Sequence, residues 1–135
     1  QKAGYAEADP SYDMNGLDTA SKLVILCNWI LERRVSIRDV NLEGISKVTL
    51  QDVEDAKRSG KTVRLIGFTN DSEISVHPRP IGVENPLSVK GSLNAVTFKT
   101  ELAGDITLVG QGAGGKETAS AVLRDLIDIK RMLIK

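Results

Sequence analysis

With one cysteine in 135 residues, Cys27, the chain can form neither an internal disulfide nor a thiolate metal cluster. The lone thiol lies inside an apolar run, which fits a reducing, cytoplasmic location. An excess of either charge is missing too. Eighteen Lys and Arg stand against eighteen Asp and Glu, so the chain has no basic surplus for a nucleic acid or an anionic membrane. No apolar run is long enough to cross a bilayer, and the N-terminus lacks the basic, apolar and small-residue order of a signal peptide. A soluble protein is expected. There is no initiator Met and no repeat or low-complexity tract, and the most distinctive stretch begins at Gly4. A piece of a longer polypeptide is therefore expected.

The chain is 41% hydrophobic and 27% charged, enough apolar content for one domain over residues 1–135 with a real core. Gly4 to Asn15 has no hydrophobic period and reads as a loop, unusual for its acids Glu7, Asp9 and Asp13. From about Gly16 to Arg33, apolar residues on most sides predict a buried helix. Thr49 and Asp52 have the spacing of a capping box and predict a short peripheral helix ending at Gly60. Lys61 to Thr69 and Ser72 to His77 read as a hairpin turning at Asn70-Asp71, with Pro78 and Pro80 expected to end its second strand. Asn94 to Thr100 and Asp105 to Val109 read as a second antiparallel pair, and Thr118 to Leu133 as an amphipathic helix. The sum is an α+β fold, a mainly antiparallel β-sheet with helices packed on one face.

Gly110, Gly112 and Gly115 formally satisfy the spacing of a dinucleotide fingerprint between a strand and a helix. That motif needs a second parallel strand ending in an acid about twenty residues on, and the sequence stops at Lys135 while still helical. The alternative G-x-x-x-x-G-K match ends in Glu117 where a phosphate loop needs Ser or Thr. Glycines at a helix start can still let a flat ring approach closely, or simply make a tight turn. Asp18 and Lys22, four apart, share one face of the first long helix. A surface ion pair is the ordinary outcome of that spacing. A lysine held among carboxylates can also donate a proton to a developing alkoxide, while spare acids bind a substrate ammonium. Glu7, Asp9 and Asp13 lack the ligand order of a calcium loop, so no metal site is assigned. His77, Trp29 and Cys27 read as structural.

The string GYAEADPSYDMNGLDTASKLVIL, Gly4 to Leu26, closely resembles the signature of homoserine dehydrogenases. NPLSVKGSLNAV, Asn85 to Val96, resembles a second block of that family, with Asn85 where His is common, and GQGAGGKETASAVLRDL resembles its closing block. The resemblance implies NAD- or NADP-dependent interconversion of L-homoserine and L-aspartate 4-semialdehyde, a step of threonine and methionine biosynthesis. It implies that Lys22 is the catalytic lysine and Asp18 the acid beside it. Glu7, Asp13 and Tyr5 would line the substrate. Tyr12 stands where some members carry a further acid. Gly112, Ala113, Gly114 and Thr118 would close against the nicotinamide end of the cofactor.

The family's cofactor domain has no counterpart in this sequence, so the chain alone is expected not to turn over, and a homodimer is implied. The competing expectation is a stand-alone dimerisation or amino-acid-binding module without catalysis.

Overall fold

The computed structural model describes residues 9–134. Where a loop is expected, Ser11–Met14 forms one helical turn, α1. Asp9 accepts the Ser11 amide at 3.0 Å, and Pro10, at φ −81°, is already close to a helical value. Gly16 then turns the chain at φ +81°, a conformation open to glycine, and α2 runs over Leu17–Trp29. Only Ala20, Leu23 and Cys27 of α2 are buried, at the three- and four-residue spacing of a single stripe, and Trp29 is 77% exposed. The helix expected to be buried on most sides is therefore buried on one among the described residues. After α2 the chain is tied back twice. Asn28 exchanges two hydrogen bonds with the backbone of Val35, and Arg33 donates to Thr69 Oγ1 and to the Asn70 carbonyl.

Two turns of 3-10 helix, Ile37–Asp39 and Ile45–Lys47, flank the two-residue strand β1, Asn41–Leu42. The capping box of Thr49 and Asp52 forms as its spacing predicts and starts α3, Leu50–Arg58. Strands β2, Lys61–Thr69, and β3, Ile74–Gly82, pair antiparallel from Lys61↔Gly82 to Thr69↔Ile74. The loop between them has four residues, and Asn70 Oδ1 accepts the amides of Ser72 and Glu73. β1 adds to β3 in parallel, giving the order β1-β3-β2.

β3 continues through Pro78 and Pro80 instead of ending at them, and the ladder explains why. The Val76 carbonyl accepts from Glu43, so Val76 directs its backbone away from β2. Pro78 and Pro80 share its parity in the strand. Their missing N–H groups would have pointed to the edge beyond β1, where no ladder bond is lost.

Val63, Leu65 and Gly67 alternate along β2 and face one way. A Cβ on Gly67 would meet Thr19 and Leu23 of α2, and Val63 lines a cleft with Ala56 of α3 and with Ser59 just after it. Both helices thus cover the same face of the sheet, as expected. The core holds Ala20, Leu23, Cys27, Val40, Ile74 and Val76.

Residues 9–88 and 89–134 form two compact units. In the second, β4, Leu93–Thr100, pairs with β5, Gly104–Gln111, around a three-residue loop closed by Gly104 at φ +70°. Thr97 and Thr107 bond hydroxyl to hydroxyl at 2.8 Å across this pair. The expected long strands are all present, but as two hairpins in two sheets, because β4 and β5 pair only with each other. Helix α4, Gly115–Leu133, follows, and none of its residues is buried. Among the described residues no helix is long and apolar enough to cross a membrane.

Candidate active site

Residues 9–22 bring together part of the acidic constellation. Lys22 Nζ lies 2.7 Å from Asp18 Oδ2, one turn apart on α2. Their side chains are 48% and 41% exposed, so this is an ion pair open to solvent, not a buried one. The acid stands in the first turn of the helix and the lysine beyond it, the order the helix dipole favours. An open pair suits a group that must meet a small polar molecule, since Lys22 can exchange Asp18 for a substrate oxygen without leaving a buried charge.

Asp13 is exposed on α1, directly before the turn into α2. Its carbonyl accepts the Gly16 amide at 3.0 Å, so the turn carrying the acid and the start of the helix carrying the lysine are one hydrogen-bonded piece. Asp9 does a different job. The Ser11 amide first, and then the Ser11 hydroxyl, hold its carboxyl below the ordinary carboxylate range, so it is engaged with the chain two residues on. Glu7 and Tyr5 lie outside the described residues.

Sequence reasoning missed one link. Tyr12 Oη and Ser21 Oγ are 2.9 Å apart, and Ser21 also donates to the Leu17 carbonyl at 2.8 Å. This bond pins α1 onto α2 beside Lys22. In the sequence Tyr12 shows only as a departure from the family's acid, and a hydroxyl pair nine residues apart has no sequence signal.

In the second unit, Gly112, Ala113 and Gly114 connect β5 to α4. The Gly112 amide donates to the Ser92 carbonyl at 3.0 Å. A Cβ at Gly112 would run into the Asn94 side chain, which would have to turn aside to admit it. Gly114 has φ +128°, and a Cβ there would meet the Glu117 carboxylate. The Thr118 amide closes the first helical bond to the Gly114 carbonyl at 2.9 Å. With Glu117 folded against Gly114, the start of α4 is already supplied with negative charge, which disfavours a phosphate there.

Comparison with known proteins agrees with the geometry. The family model described as homoserine dehydrogenase matches residues 1–127. The homoserine dehydrogenase of Methanocaldococcus jannaschii is 46% identical over 129 residues, covering 96% of this chain and 38% of its own length. An NAD(+)-dependent homoserine dehydrogenase of Pseudomonas canavaninivorans is 44% identical with the same two coverages. A crystal structure of a putative homoserine dehydrogenase from Archaeoglobus fulgidus superposes with a TM-score of 0.85 at 46% identity, over 96% of this chain and 40% of that one. A hyperthermophilic archaeal homoserine dehydrogenase mutant in complex with NADPH gives 0.74 at 34% identity, over 90% and 35%. The chain thus spans well under half the length of the relatives it matches. With a family model over almost all of its residues and the Asp18–Lys22 pair formed on α2, this chain belongs to the homoserine dehydrogenase family.

Proposed function

We propose that this chain carries the substrate-side machinery of an NAD- or NADP-dependent homoserine dehydrogenase, interconverting L-homoserine and L-aspartate 4-semialdehyde in threonine and methionine biosynthesis. The observation that carries this reading is the 2.7 Å contact of Lys22 with Asp18 inside the family-matched segment. In the reducing direction the Lys22 ammonium gives a proton to the alkoxide oxygen. In the oxidising direction the Lys22 amine takes the hydroxyl proton. Asp18 orients Nζ and offsets its positive charge. Asp13 and Glu7 line the substrate and receive its ammonium group, and Tyr5 lines the same pocket. Bound NAD or NADP supplies the hydride acceptor or donor. Gly112, Ala113, Gly114 and Thr118 would meet the nicotinamide end, the two glycines leaving its face unobstructed.

Residues 1–135 act in this reading as one catalytic and dimerisation region, its partner a second copy of the same chain and its location the cytoplasm. The reducing conditions there suit the lone buried thiol Cys27.

The test is homoserine-dependent reduction of NAD and NADP by the full-length gene product. Lys22→Ala is expected to lower kcat by roughly 10²- to 10⁴-fold with cofactor KM little changed, because the lysine acts on the substrate side. A normal rate in that variant overturns the proposal. A folded wild-type product without turnover points instead to a dimerisation or amino-acid-binding module.

A further inference from the structure

We infer that Gly44 is a positioning residue for the Asp18–Lys22 pair, because its bare Cα lets the backbone after β1 lie against the backbone of Met14 and Asn15. The inference rests on the role just proposed for Lys22. A Cβ on Gly44 would run into the Met14 carbonyl oxygen, with the Asn15 Cα at 2.7 Å and the Asn15 carbonyl carbon at 2.9 Å. All three are main-chain atoms, so no rotamer change relieves the clash. The conformation of Gly44, φ −79° and ψ −178°, is ordinary extended backbone that any residue adopts. Glycine is needed here for space, not for conformational freedom.

Neither side of the contact can easily retreat. Behind Gly44, Asn41 and Leu42 pair with Ser75 and Val76, and the Glu43 amide donates to the Val76 carbonyl at 2.8 Å. On the other side, Gly16 is buried at φ +81°, and a Cβ there would lie 3.0 Å from Leu42 and 3.4 Å from Leu65 and Val76. The turn 13–16 is therefore held between Gly44 and the sheet. That turn carries Asp13 and delivers the first turn of α2, where Asp18 stands. A side chain at position 44 pushes this assembly off its seat, and a misplacement of about 1 Å at a reacting group costs roughly 10²-fold in rate.

The experiment compares Gly44→Ala, Gly82→Ala and Lys22→Ala in the full-length gene product, with kcat expressed per folded molecule. Gly82 is the control, since a Cβ there meets nothing within 4 Å. Gly44→Ala is expected to lower kcat for homoserine oxidation at least about tenfold while the KM for NAD or NADP stays within about twofold, and Gly82→Ala to leave both unchanged. A Gly44→Ala protein that melts lower yet keeps its kcat per folded molecule has a merely structural glycine, and the inference fails. If Gly44→Ala does not fold, Leu42→Ala decides, because it removes the wall on which Gly16 is seated without adding a clash. The same split between kcat and cofactor KM is expected, and an unchanged kcat overturns the inference. Should Lys22→Ala retain full activity, the parent reading falls, and the role assigned to Gly44 falls with it.

Discussion

Lys22 and Asp18 illustrate how function and stability separate at single residues. Their pair is about half exposed, and an ion pair in that setting adds little to folding. Asp18→Asn should leave the melting temperature within about 2 °C of the parent, while lowering kcat about tenfold or more through the lost orientation of Lys22. Calorimetry and a rate assay on the same preparation check both parts. Thr49 and Asp52 show the opposite separation. Each satisfies an amide at the start of α3. Thr49→Ala is expected to cost about 1 kcal/mol in denaturant unfolding with no change in kcat. The Thr49 hydroxyl, and after it the Thr49 amide, hold the Asp52 carboxyl below its ordinary range. A carboxylate with a lowered value stabilises the fold above the ordinary range and loses that contribution as pH falls through the lowered value. Asp52→Asn should accordingly flatten the decline of stability on acidification below the ordinary carboxylate range, measured by thermal melts across a pH series.

Elements with a strong period or a local chemical signal were legible from the residues alone. The capping box of Thr49 and Asp52 fixed the start of α3, and Lys61 to Thr69 matched β2. Strand β1 was not legible, because two residues carry no period and its pairing with β3 joins positions more than thirty apart. The prolines of β3 misled for a definable reason. Proline breaks a strand only where its N–H would have faced a neighbour, and that depends on which neighbour is present beyond Val76. Pro80→Ala tests this account. Since the proline sits without loss of a ladder bond, its replacement should remove only the restriction it places on the unfolded chain, lowering stability by about 0.4–1 kcal/mol. A gain of stability would mean that the strand is strained there.

At the scale of the molecule, the close-packed interior of residues 9–88 gathers around the buried stripe of α2, the same helix that carries Asp18 and Lys22 on its open side. The i,i+4 spacing made that pair readable, whereas the close approach of Gly44 to Met14 joins residues thirty apart through backbone atoms and leaves no mark in the composition. Leu23 lies on the buried stripe, and Leu23→Ala should destabilise this unit by about 2–5 kcal/mol through a cavity, read as a lowered denaturant midpoint. One turn further along, Cys27 is the single thiol of the chain and wholly inaccessible to solvent. A thiol reagent can reach it only when the unit opens, so each labelling event timestamps one opening of the helix–sheet interior. When reclosing outpaces labelling, the rate reports the equilibrium open fraction, and when labelling outpaces reclosing it reports the opening rate itself. The protein thus carries its own clock for breathing, with no added probe.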